Sequence, residues 1–356
     1  MISNPTFSAP ARALLVAGAF ALVVTVLQSA AAILVPLLLA VFIAIVVTPM
    51  LRWMYRRGVP KWGALMVITF ILLDIGSLLA LVTTGGVEGF RDSLPTYQER
   101  FITLSHQFGD WLEGVGVGGS REAMPDLLDP NLLAHGVRLF LSNASGIFAL
   151  GFLVLLATLF ILLEAPTFPA KLRAAFHWTE AGDARLKRLL DTINRYMQIK
   201  TLTSLGTAFS VWLLLWFFGI DFAILWAVLA FFLNFVPVLG NILMMIPPVF
   251  LALVQTDLQT TLFVAIGYLV INIAIGNVLE SRIMGKGLGV STLAIFISLL
   301  FWGWLFGTVG MFLAVPLTAA AVIALDAHPQ TRPLAILLGS AIAEPEAPDA
   351  GSAAPQ

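Results

Sequence analysis

Long apolar runs separated by short charged clusters set the pattern of this chain. Residues 11–51 carry no charge after Arg12. About 40 helical residues at 1.5 Å each span roughly 60 Å, which is two membrane crossings rather than one. A tight turn is expected around Gln28–Ala31. Trp62–Thr84, Gly146–Leu163 and Thr201–Ile220 read as the third, fourth and fifth spans. Three further apolar tracts follow: Phe222–Val254, Leu258–Leu279 and Val290–Leu325. The first and third are too long for one crossing, and each carries helix breakers near its middle. Asn234, Pro237, Gly240, Asn241 and Pro247–Pro248 interrupt the first; Gly303, Gly307, Gly310 and Pro316 interrupt the third. Proline lacks the backbone donor and clashes with the preceding turn, so neither tract reads as one unbroken helix. The two also show a weak internal likeness, LGNILMMIP (239–247) against VGMFLAVP (309–316).

Charge between the runs orients them. Arg52, Arg56, Arg57 and Lys61, edged by Trp53, Tyr55 and Trp62, form a basic loop with an aromatic belt, read as cytoplasmic. Residues 85–145 are predominantly acidic, which suits the outer face. Within them Phe90, Leu94, Tyr97, Phe101, Leu104, Phe108 and Trp111 recur at four- and three-residue steps, a helical stripe. That stripe is expected to be intramolecular core, with a seam between subunits as the sharper alternative. Val115–Gly119 reads as a glycine linker. After the fourth span, Lys171, Arg173, Arg185, Lys187, Arg188, Arg195 and Lys200 mark a cytoplasmic section. There Leu186, Leu189, Leu190, Ile193 and Met197 line one face of an amphipathic helix, expected to lie on the inner leaflet.

The predicted class is an all-α polytopic membrane protein: about five full N-terminal spans, two broken or re-entrant hairpins around a further span, and a helical extramembrane segment. The divisions are N-terminal spans (1–84), an extracytoplasmic helical segment (85–145), the fourth span with the amphipathic helix (146–200), a core with two broken segments (201–326), and a disordered Ala/Pro/Glu-rich tail (327–356). Both termini are expected in the cytoplasm.

Composition agrees. Hydrophobic residues make up 59% and charged residues 11%, with a mean hydropathy of +0.96. Soluble domains carry about a quarter charged residues. A formal net charge of −1 without a basic tract gives nucleic-acid binding no support. The absence of cysteine excludes disulfides, thiolate metal sites and cysteine nucleophiles. Arg12 followed by an apolar run and Ser29–Ala32 is similar to a signal peptide, but a second apolar run begins at once and favours paired spans.

Candidate chemistry concentrates in the broken core. Paired interrupted hydrophobic segments point to the binding site of a transporter. If both are hairpins, the span between them brings Arg282 and Lys286 to the inner side, in keeping with positive-inside charge. Asn272, Gly276 and Glu280 recur every four residues and share a helix face. Glu280 reads either as a proton- or cation-responsive carboxylate or as half of a salt bridge, with Arg282 the nearby countercharge. Asn234 and Asn241 flank the first break, able to satisfy backbone groups or to contact a solute. Gly303, Gly307 and Gly310 allow close backbone approach. Asp74, midway along the third span, is a functional candidate because intramembrane carboxylates are costly. GKGLG (285–289) lacks the Walker spacing, and the four histidines show no metal-ligand spacing. No cofactor is implied and no nucleophile–base pair can be assembled, so an enzyme is not expected.

Four stretches carry a resemblance: NRYMQIKTLTSL (194–205), WAVLAFFLNFVPVLGN (226–241), IGNVLESRIMGKGLGVS (275–291) and LLFWGWLFGTVGMFLAVPLTA (299–319). Together they resemble the autoinducer-2 exporter family of bacterial integral membrane proteins. One departure is Ser281, where relatives commonly have proline, which bears on the turn after Glu280. The resemblance implies an inner-membrane secondary transporter, assembled as a homo-oligomer. Its cargo would be a small polar solute such as autoinducer-2, or sodium or lithium exchanged for protons. A passive channel or an oligomeric membrane scaffold is the alternative. The candidate solute- or ion-binding residues are Asn234, Pro237, Gly240, Asn241, Asn272, Glu280, Arg282, Gly307, Gly310 and Asp74.

Overall fold

A computed structural model describes residues 8–114, 144–168, 170–171, 174, 180–237, 239–284, 291–326 and 330–339. The Val115–Gly119 linker, the GKGLG stretch, Arg173 and the tail from residue 340 lie outside the described residues, as do the side chains of Phe108, Trp111, Arg185, Leu186, Arg188 and Leu189. The described chain is helical throughout its regular structure. Five of its helices are long and apolar enough to cross a membrane, and further apolar helices are shorter.

Helix α1 (Ala9–Ser29) and α2 (Ala31–Arg56) are separated by the single residue Ala30, inside the window expected for the first turn. Helix α3 (Lys61–Gly114) crosses position 84–85 without a break and carries the membrane run and the aromatic stripe on one rod. Pro95 sits within it. Helix α4 (Ala144–Glu164) packs against α2 and the start of α3 around Leu51, Met54, Leu65, Ile68 and Leu162.

Helix α5 (Glu180–Phe217) is one continuous helix. The amphipathic stretch is therefore the first part of the fifth spanning helix rather than a separate helix on the leaflet. No proline stands between Asp191 and Leu215, and Met197 is buried against Tyr196 and Val315.

The remaining elements follow in order. They are α6 (Ala223–Leu233), α7 (Leu239–Leu243), α8 (Ile246–Gln255), α9 (Leu258–Ile271), a π-helical stretch (Asn272–Leu279), α10 (Glu280–Met284), α11 (Thr292–Phe312), α12 (Ala314–Asp326) and α13 (Arg332–Leu338). Pro247 falls in the first turn of α8, where its missing N–H costs nothing. Asp257 caps α9 and accepts the Thr260 N–H at 2.9 Å. Hydrogen bonds from Thr260, side chain then backbone, hold the Asp257 carboxyl below its ordinary range.

The aromatic stripe of α3 is intramolecular core where its side chains are described. Phe90 meets Phe222 and Trp226 edge-on, Phe101 packs on Phe250, and Tyr97 is buried in the same cluster. These positions are covered by α6 and α8 of the same chain.

Candidate functional site: two opposed hairpins

The chain from Asp221 to Gln255 leaves and returns to one place. The Asp221 N–H donates to Gln255 Oε1 at 3.1 Å, and Gln255 Nε2 donates to the Asp221 carboxylate. Tyr97 Oη donates to Asp221 Oδ2 at 2.8 Å and accepts from Gln255 Nε2 at 3.1 Å. Arg100 Nη1 donates to the Gln255 carbonyl at 3.1 Å. The arms α6 and α8 have 11 and 10 residues. At 1.5 Å per residue each is about 15–17 Å long, half of a hydrocarbon core of about 30 Å. We call this segment hairpin one.

Its turn follows from local chemistry. Helix α6 ends at Leu233, four residues before Pro237, which cannot donate to the preceding turn. The N–H groups of Asn234, Phe235 and Val236 still bond to carbonyls of the last helical turn, and Gly240 N–H closes onto Val236 O at 3.1 Å. The chain then doubles back so tightly that a Cβ on Gly240 would lie 1.8 Å from the Leu233 carbonyl oxygen. Only glycine fits.

Hairpin two repeats the device. Gly307, at φ 67°, ψ −150°, breaks α11 in a backbone region essentially confined to glycine. A Cβ on Gly310 would lie 1.9 Å from the Trp302 carbonyl oxygen, and one on Gly303 would lie 2.7 Å from Met311 Cγ. Trp302 Nε1 donates to Thr318 Oγ1 at 3.0 Å and ties α11 to the returning α12. The likeness between 239–247 and 309–316 thus has a physical content: Gly240 and Gly310 perform the same close approach.

The hairpins open toward opposite ends of the molecule. Hairpin one opens beyond the last turn of α5. Ile295, near the start of α11, packs against Tyr196 and Met197 in the first half of α5 together with Val315 of α12. Tyr196 and Phe217 are separated by about 31 Å of helix. The tip of hairpin two, at Leu305 and Phe306, meets Val24 and residues flanking the α1–α2 junction. The hairpins meet midway: Val236 and Leu239 pack with Leu299, Trp302, Met311 and Ala314. Phe42, Phe235 and Phe312 close the crossing, with ring centroids 4.5–5.7 Å apart.

Polar groups gather at the tip of hairpin one. Asn234, 3% exposed, donates through Nδ2 to Ser204 Oγ at 2.9 Å. Its role is to pin the turn to α5. Asn241 follows Gly240 and approaches the π-helical stretch: Asn272 Oδ1 and Asn241 Nδ2 lie 3.0 and 3.9 Å from the place a Gly276 Cβ would take. A donor and an acceptor therefore converge on space left open by Gly276. Gly206 of α5 faces Ile275 across the same boundary. Pro237 is half-buried at the turn.

Glu280 follows the π-helical stretch and pairs with Lys200. Both carboxylate oxygens lie 2.9 Å from Lys200 Nζ, with the two side chains 16% and 8% exposed. Arg282 is exposed. The countercharge expected from sequence proximity is therefore supplied by another helix. In a low-dielectric interior an ammonium is drawn to the carboxylate that shares its burial, whereas Arg282 reaches solvent. Asp74 is exposed on α3 and belongs to neither hairpin's packing. Trp304 also faces outward.

Lys200 was not among the expected site residues, nor were Thr203, Ser204 and Thr207, all buried on one face of α5. Their spacing at i, i+3, i+4 and i+7 in KTLTSLGT (200–207) is the legible signal, a polar stripe entering an apolar span.

These features define a polytopic helical membrane protein whose core is two opposed, interrupted hairpins flanking a central helix. The chain belongs to the family described as AI-2E family transporter, which matches residues 13–330. AI-2 transport protein TqsA of Escherichia coli strain K12 is 36% identical over 321 residues, covering 90% of this chain and 93% of that protein. A candidate transport protein of Haemophilus influenzae is 37% identical over 338 residues, covering 92% and 96%. The more distant YrrI of Bacillus subtilis is 23% identical over 313 residues, covering 81% and 84%. The protein is a membrane transporter.

Proposed function

We propose that this protein is a secondary transporter of the inner membrane that exports a small, uncharged, hydroxyl-bearing solute, with autoinducer-2 as the first compound to test. The observation that carries this reading is the meeting of Asn241 and Asn272 on the open side of Gly276, where hairpin one and the central helix offer one amide donor and one amide acceptor. A hydroxyl group donates and accepts at once, so it matches that pair. Net charge is absent from the lining, because Lys200 and Glu280 neutralise each other. In this reading the hairpins are re-entrant, one from each side, and the crossing at Val236 and Ala314 lies near the midplane. The TqsA name supports the choice of compound.

The test is export from cells lacking their own exporter, read by autoinducer-2 activity in the medium. Asn272→Leu and Gly276→Val are expected to reduce export at least tenfold while membrane levels of the protein stay unchanged. Full export by both variants would refute the site, and a non-saturable flux would select a channel.

A second reading, sodium or lithium exchanged for protons, is favoured by the largely buried Glu280 carboxylate. It requires Glu280→Gln to abolish cation-dependent proton flux in liposomes.

A further inference from the structure

We propose that Lys200 and Glu280 form a latch that keeps one end of the transporter closed, and that the π-helical stretch before Glu280 is the part that moves when it opens. The proposal rests on the export reading, in which Glu280 acts on access, and does not depend on which solute is exported.

Three observations converge. First, the pair is largely buried and uses both carboxylate oxygens at 2.9 Å, which ties α5 to the C-terminal end of the central helix. A buried pair adds little net stability over an apolar one, yet losing one partner leaves an unpaired buried charge. Such a contact suits a switch better than a strut. Second, the helix that delivers Glu280 is π-helical over eight residues, Asn272–Leu279. π-Helix is rare and is usually a single turn within an α-helix, often at functional sites. Conversion to α-helical register moves one residue through the turn and rotates everything beyond it by about 100°. That rotation carries Glu280 away from Lys200. Third, the pair lies on the side of the crossing toward which hairpin two opens: Tyr196, one helical turn before Lys200, belongs to the cluster against which Ile295, near the start of α11, packs. On the other side of the pair, Thr203 and Ser204 lead to the Asn234 tip of hairpin one. Breaking the pair therefore opens a route from that end to the turn of hairpin one and no further.

Opposite closure comes from a different set of groups. Tyr97, Arg100, Asp221 and Gln255 bind the open end of hairpin one and do not involve α10 or the π-helical stretch. The two ends can thus open one at a time. Lys200 and Glu280 are positioning residues here, acting on access and not on the solute.

The chain has no cysteine, so single-cysteine reporters can be placed without removing any native residue. Thr203→Cys, 1% exposed, reports the latch side, and Val254→Cys, 3% exposed, reports the far end. The experiment measures maleimide labelling rates of both reporters in the full-length protein in membrane vesicles. Lys200→Met and Glu280→Gln should each raise labelling at position 203 at least tenfold and leave position 254 unchanged. The exchanged pair Lys200→Glu/Glu280→Lys should restore the parental rate. Glu280→Asp, which keeps the charge but shortens the reach, should give an intermediate rate and keeps the test available if the charge-removing variants do not accumulate. Unchanged labelling at 203, a parallel rise at both reporters, or an exchanged pair that labels as fast as the single variants would overturn the latch. None of these readings uses a cargo, so a failure here is separate from failure of the export assay.

Discussion

Gly240 and Gly310 show how two single residues allow the central architecture. Each sits where the returning chain touches the end of the incoming helix, and a methyl group would enter a carbonyl oxygen at 1.8 or 1.9 Å. The obstruction is backbone, which cannot rotate away as a side chain would. Gly240→Ala and Gly310→Ala should therefore each prevent accumulation of folded protein, measured as the monodisperse fraction after mild detergent extraction. Gly307→Ala is a different case: nothing lies near its would-be Cβ, and the cost is its left-handed backbone, about 1–3 kcal/mol. It should reduce thermal stability and leave assembly of the fold intact. The residue types of these turns were legible as breakers. Which glycine serves steric approach and which serves backbone conformation was not, because both read as the same letter.

At the scale of elements, the shortness of the hairpin arms makes the clamp at their open end matter. Helices of 10 or 11 residues are marginal alone and take their stability from packing. The Tyr97–Asp221–Gln255 network fixes where hairpin one begins and ends. Asp221→Ala would leave Tyr97 Oη without its carboxylate acceptor and Gln255 Nε2 with one partner fewer. A lost hydrogen bond to a charged group costs about 1.5–3 kcal/mol. The expected result is faster hydrogen exchange in α6 and α8 than in α2 and α4, read by mass spectrometry; uniform protection would contradict the role given to the clamp. The helical stripe of Phe90, Tyr97 and Phe101 was visible from its spacing, whereas its partner was not. Periodicity identifies a buried face without naming what covers it.

For the whole molecule, α3 leaves a carboxylate in an unusual place. Asp74 is exposed midway along an apolar run, and its side chain has no partner among the described residues. A charge at the centre of a membrane helix costs about 2.5–3.5 kcal/mol on insertion scales. We propose that assembly of several copies covers this face. Asp74→Ala should then shift the native mass in detergent toward the single chain; an unchanged mass would separate Asp74 from assembly.

The sequence by itself determined the membrane class, the number and position of the apolar tracts, the two breaks, and the family. These depend on composition and on residue order within a few helical turns, which one dimension preserves. Tertiary structure alone decided that the two broken tracts open at opposite ends and cross. It also decided that Asn241 and Asn272 face Gly276, and that Lys200, 80 positions earlier in the chain, holds Glu280. Those pairings depend on how separate helices lie against each other, and burial selects between a neighbour in sequence, Arg282, and a neighbour in space, Lys200. The first broken tract stands out in the sequence by its asparagines, glycine and prolines; its place as half of an opposed pair required the fold.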